Sequence, residues 1–172
     1  MKAIQHFKTI TKHKIKVMQL CFRIGLYKQG LLHDMSKYSP CEFLTGVHYY
    51  QGDKSPNSAQ REEEGYSIAW LHHKGRNKHH WEFWVDFTRQ GLTPAKMPTR
   101  YVLEMFCDRI AASMTYQGKR YQDTFPLAYY ERGKHTYIMH PQSRALLEDL
   151  LIHLHDNGLD ATIDYINTYI QK

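Results

Sequence analysis

The sequence predicts an all-α protein, a single-domain helical bundle of about six to eight helices. Three observations carry this prediction. Apolar residues recur at spacings of three and four through most of the chain, with no sustained apolar–polar alternation. Clusters of glycine, proline and asparagine punctuate the periodic stretches at loop-sized intervals. The 172 residues are enough to bury one core without disulfide staples.

Residues 3–28 form the first helix, with Ile10, His13, Val17, Leu20, Cys21 and Ile24 on one face and Lys12, Lys14 and Lys16 beside it. His6 lies on the His13 face and reads as a rim residue. Gly25 and Gly30 are break points before a short helix over 30–37. Ser39-Pro40 opens a third helix over 41–50, because proline suits a first helical turn. Residues 51–58 form a loop. Residues 60–73 read as one helix whose Glu62-Glu63-Glu64 run is a solvated start, favoured by the N-terminal dipole. Residues 74–78 bend, 79–88 resume a helix, and 91–98, with Gly91, Pro94 and Pro98, form a second loop. Residues 101–116 form a helix whose apolar face of Val102, Met105, Phe106, Ile110 and Met114 has Asp108 set within it. The tyrosine-rich stretch 118–133 has no clear period. A leucine-rich helix over 141–155 ends at Asn157-Gly158, and the last helix runs over 159–170.

The formal charge of +6 and a sequence pI of about 9.1 fit an anionic ligand. A small phosphate-containing substrate is the expected partner. The charge also allows nucleic acid, but no arginine-rich tail marks a groove for it. With no run of about eighteen apolar residues, a membrane is not an expected partner. Residues 1–16 are basic without the continuous apolar core of a signal peptide. Cys21, Cys41 and Cys107 are odd in number and widely spaced, which points to a reducing, cytoplasmic compartment. The 12 histidines stand out, because imidazole is the commonest metal ligand among side chains.

The richest stretch is Gly30-Leu31-Leu32-His33-Asp34-Met35-Ser36-Lys37. Neighbouring residues on a helix point about 100° apart. His33 and Asp34 therefore share an ion only if it lies between them, near a helix end or in a groove. His13 and Asp108 are likewise polar on or next to apolar faces, where an unpaired charge is expensive. One divalent ion would satisfy all four, and two nitrogens with two oxygens suit a borderline or hard first-row metal.

Together these residues resemble the HD superfamily of metal-dependent phosphohydrolases. The match runs from His13, with Val17, Cys21 and Gly25 in phase, through Leu31-Leu32-His33-Asp34-Met35-Ser36-Lys37 to Phe106-Cys107-Asp108-Arg109-Ile110-Ala111. It covers roughly residues 10–115, with 116–172 expected as a helical tail packed on an HD-like domain. Ser36 departs from the glycine many relatives carry there. The resemblance implies metal ligation by His13, His33, Asp34 and Asp108, and a cofactor of one or two divalent ions (Mn, Fe, Co, Ni, Zn or Mg). It implies that Asp34 and Lys37 are catalytic and that Lys37 and Arg109 bind the substrate phosphate. The implied reaction is hydrolysis of a nucleotide or other small phosphate ester by metal-activated water. Binuclear members add two histidines between the His-Asp pair and the last aspartate. Residues seven apart share a helix face, so His73 and His80 are the expected second-site ligands, with His72 and His79 the alternative. Tyr66, Ala69, Trp70 and Trp84 continue the His73/His80 face. The same scaffold resembles di-iron oxygenases, and a non-catalytic helical binding or regulatory module is the remaining alternative.

Overall fold

In the computed structural model, which describes residues 1–170, eight α-helices surround one apolar core. Helix α1 (Lys2–Arg23) ends before Gly25, which takes a left-handed φ of 70°. The second helix, α2, is Tyr27–Leu32 rather than 30–37. Gly30 is not a break but a buried residue inside it. The chain turns at His33 and Asp34 into a 3-10 turn, Met35–Tyr38. Helix α3 (Pro40–His48) follows as expected.

The single helix expected over 60–73 is two. Helix α4 (Pro56–Glu64) starts inside the expected loop, because Pro56 supplies the pre-set φ of a first turn. Gly65, at φ 81°, ends it. The Ser67 hydroxyl then accepts the Trp70 N–H at 3.0 Å and starts α5 (Ile68–Lys74). The Glu62–Glu64 run is therefore an exposed helix end, not a helix start.

The helix expected over 79–88 and the loop over 91–98 are also corrected. A 3-10 turn (Trp81–Trp84) leads into an antiparallel hairpin, β1 (Val85–Thr88) with β2 (Gly91–Pro94), in the register Val85–Pro94 to Thr88–Gly91. β-branched and aromatic residues favour extended backbone there, and Gly91 at φ 94° closes the turn.

Helix α6 (Thr99–Gln117) lies along α1 and forms the floor of the site. Helices α7 (Phe125–Gly133) and α8 (Pro141–Tyr165) complete the bundle. Gly158 (φ 80°, ψ 174°) splits α8 at the expected boundary, and a π-helical turn, Ile166–Ile170, follows. Val17 from α1 and Ile24 just beyond its end, Phe106 and Ile110 from α6, and Leu150 and Leu154 from α8 are wholly buried in one cluster. The segment after Tyr116 thus shares its core with the rest. No helix among the described residues is long and apolar enough to cross a membrane.

Candidate metal centre

Three elements meet above the α1–α6 contact. The buried face of α1 delivers His13 one turn before Val17. The facing side of α6 delivers Asp108, and the break after α2 delivers His33 and Asp34. Asp34 is the only non-glycine residue with positive φ among the described residues (φ 52°, ψ 28°). Such backbone costs free energy and persists where surrounding structure holds it, commonly at functional sites. The left-handed residue removes the 100° divergence that a continuous helix would impose. His33 Nε2 comes within 3.2 Å of Asp34 Oδ2.

The four residues converge. His13 Nε2 lies 2.9 Å from Asp108 Oδ1 and 3.9 Å from Asp34 Oδ2, and His33 Nε2 lies 3.7 Å from Asp108 Oδ1. One ligand atom from each of His13, His33, Asp34 and Asp108 falls within 4.8 Å of every other, so this set, buried except for the partly exposed Asp108, could hold a metal ion. A second set meets the same spacing: Asp34, His73, His79 and His80. Asp34 Oδ1 faces it, 3.2 Å from His73 Nε2 and 3.4 Å from His79 Nε2.

His73 and His80 therefore converge, but not as residues seven apart on one helix. Helix α5 stops at Lys74, and a turn through Asn77 brings both His79 and His80 inward, their rings 4.1 Å apart. His79 joins the cluster from the alternative pair. His72 does not; its Nδ1 donates to Glu42 Oε1 at 2.6 Å.

Two buried glutamates stand behind the histidines. Glu104 Oε1 lies 3.0 Å from His33 Nδ1 and 3.1 Å from His79 Nδ1. Glu42 Oε2 accepts from His73 Nδ1 at 2.8 Å. In each case the Nδ1 proton is held by a carboxylate and Nε2 faces Asp34. Ser36 joins this arrangement: its hydroxyl accepts from Asn77 Nδ2 at 2.8 Å and sits 3.2 Å from His73 Nδ1. Sequence reasoning missed Glu104. Its signal was a carboxylate one turn before Asp108 on an otherwise apolar helix, between Leu103 and Met105.

Charge in the cluster is strongly coupled. Burial opposes ionisation of Asp34, yet His33, Lys37 and His73 hold its carboxyl well below the usual range. Burial also opposes the Asp108 charge, and His13 and His33 outweigh it. The His33 imidazole, which burial alone would push down, is held well above the usual range by Asp34, Asp108 and Glu104. The carboxylates that favour a proton there would equally favour a cation between the rings. Burial, with the cation of Lys37, pushes His13 down, and burial with His79 and His73 pushes His80 down.

Lys37 Nζ sits 2.6 Å from Asp34 Oδ2 at the partly exposed edge. Arg109 is elsewhere. Its guanidinium lies over the rings of Tyr130 and Tyr137 at 5.5 and 5.4 Å, packed against the α7 side of α6 rather than beside Lys37.

His13 Nε2, His33 Nε2, both Asp34 oxygens, His79 Nε2 and His80 Nε2 are all buried without a hydrogen bond of good geometry, although His13 Nε2 lies 2.9 Å from Asp108 Oδ1 and Asp34 Oδ2 lies 2.6 Å from Lys37 Nζ. Buried polar atoms are normally paired. Six that point at one another and lack thiolate company fit a divalent ion of the hard or borderline type. A family model for a family of unknown function, DUF5662, matches residues 2–153. No curated protein and no solved structure matches the chain.

Proposed function

We propose that this chain, which belongs to the DUF5662 family, is a metal-dependent phosphohydrolase of the HD type acting on a nucleotide or other small phosphate ester. The observation that carries the reading is the convergence of His13, His33, Asp34 and Asp108, from three separate elements, within coordination spacing of one point. His13, His33, Asp34 and Asp108 would hold one divalent ion. His73, His79 and His80 would hold a second, with Asp34 shared, because its two oxygens face different histidines. Bound there, the metal supplies Lewis-acid polarisation of a phosphoryl oxygen and a water acidic enough to deprotonate near neutrality.

The chain's own groups do the rest. Glu104 and Glu42 fix the tautomers that present Nε2 inward. Lys37 already accompanies Asp34 at the open edge, and its ammonium is placed to meet the charge on an incoming phosphoryl group. The basic balance of the chain favours such an anion. The role first given to Arg109 passes to Lys37 alone, since the tyrosine pair engages the arginine. The wealth of imidazole favours a second reading, an iron pair performing oxygenase chemistry.

Elemental analysis of the purified protein, together with turnover of a panel of phosphomonoesters and diesters after EDTA treatment and re-addition of Mn, Co, Ni, Zn, Fe or Mg, tests the proposal. The expected result is one to two equivalents of metal, lost in His33→Ala and Asp108→Ala, and metal-restored hydrolysis of at least one ester. Folded protein that binds no metal, or binds it and hydrolyses nothing on the panel, overturns it. Two irons with oxygen-dependent turnover would establish the second reading instead.

A further inference from the structure

Helix α1 carries a second apolar stripe that the described residues cover only in part. At 100° per residue, Ile4, Phe7, Thr11, Ile15, Met18 and Phe22 fall within an arc of about 80°, centred roughly 130° round from the buried His13 face. Ile4 is 64 % exposed, and Phe7, Ile15 and Phe22 are also exposed. The stripe widens onto the neighbouring elements. Phe22 meets the ring of Tyr27, Phe7 meets Tyr38, and Lys14 bonds the carbonyls of Leu31 and His33, which sets the exposed Leu31 and Leu32 beside it.

Lys8, Lys12 and Lys16 border this stripe on one side. Among the described residues they form no ion pair, and the Lys16 amine is pushed down by burial and by Lys12 beside it. The whole chain before Asp34 contains seven lysines and arginines and no aspartate or glutamate. The N-terminal segment is therefore strongly basic, and Lys8, Lys12 and Lys16 place part of that charge along the stripe.

We propose that the outer face of α1, with the tip of α2, is a docking surface for an anionic lipid bilayer, a partner not expected from the sequence. The lack of a spanning run bears on crossing a membrane and not on lying against one. An exposed apolar stripe bordered by lysines on a long helix is what interfacial binding requires: the apolar groups enter the acyl boundary while the amines reach the headgroup phosphates. A second copy of the chain is disfavoured, because a two-fold contact would set Lys8, Lys12 and Lys16 against their own counterparts. Nucleic acid would meet the lysines but leave Ile4, Phe7 and Ile15 facing a polar backbone. The surface lies on the side of α1 opposite to its core packing, so docking leaves the bundle intact and is independent of the hydrolytic reading.

The test is co-sedimentation of the full-length protein with vesicles of phosphatidylcholine alone and of phosphatidylcholine with 30 mol % phosphatidylglycerol (about one anionic lipid in three,). The expected result is binding to the anionic vesicles, about tenfold or more above neutral ones and weakened by added salt. Ile4→Ser/Ile15→Ser and, separately, Lys8→Glu/Lys12→Glu should each lower it about tenfold with unchanged circular dichroism. Failure to bind anionic vesicles, or equal binding by the folded variants, overturns the proposal. So does a concentration-dependent dimer that the Ile4→Ser/Ile15→Ser protein loses, or tight binding of a duplex that this variant retains.

Discussion

The residue that organises the site is Asp34, because its left-handed backbone lets two consecutive side chains face one pocket. Its partners in the first site were legible. His13, His33 and Asp108 each interrupt or adjoin an apolar face, and a buried imidazole or carboxylate announces a partner. The second histidine group was only half legible. The period of seven paired His73 with His80, which do converge, but it assumed a helix that ends at Lys74, so the inward turn that adds His79 beside them went unread. Glu104 went unread for another reason: a single glutamate on a helix is ordinarily solvated, and only the two Nδ1 contacts at 3.0 and 3.1 Å reveal its role. That role gives a prediction. Glu104→Gln keeps the shape but weakens the acceptor shared by His33 and His79. Metal affinity, measured by competition against a chelating dye, should fall roughly 10- to 100-fold, with little change in circular dichroism. Unchanged affinity would mean that Glu104 only fills space.

At the scale of elements, the long periodic helices were readable and the short irregular ones were not. Helices α1, α3, α6 and α8 carry a repeated apolar phase over two or more turns, which survives any error at their ends. The α4–α5 break and the hairpin depend on single residues, Gly65, Ser67 and Gly91, whose φ and hydrogen bonds have no periodic signature. Gly30 is the instructive case, since the same residue that reads as a breaker is a contact. A Cβ there would meet Cys21 Cβ and the Met18 Cα at 3.1 Å and the Met18 carbonyl oxygen at 3.2 Å. Two of these three atoms belong to the α1 backbone, which cannot swing aside as a side chain would. Glycine is what lets α2 lie against α1 and end with His33 and Asp34 over His13. Gly30→Val should therefore cost about 1–3 kcal/mol in urea unfolding, the range for overpacking a filled contact. It should also weaken metal binding, since any outward shift of α2 moves two ligands together. Wild-type stability with wild-type metal affinity would refute this account of the α1–α2 contact.

At the scale of the whole molecule, the cluster joins segments far apart in the chain: α1, the α2 break, the turn after α5, and α6. No disulfide links these segments, the three cysteines being free. In the unfolded chain the same side chains are separated by up to ninety-five residues, counting from His13 to Asp108. An ion that needs all of them would bind the native state almost exclusively, so binding free energy becomes folding free energy. At a free metal concentration a hundredfold above Kd, one site adds about 2.7 kcal/mol. In a chain of this length that corresponds to a rise in Tm of roughly 5–10 °C. The rise should grow with metal concentration, be reversed by EDTA, and be largely absent in His33→Ala. A protein altered only on the outer face of α1, such as Ile4→Ser/Ile15→Ser, keeps every ligand and should show the same rise as wild type. A Tm indifferent to manganese, cobalt, nickel and zinc over three decades of concentration would show that the buried carboxylates and imidazoles satisfy one another without an ion. The hydrolytic proposal would then fall with the metal.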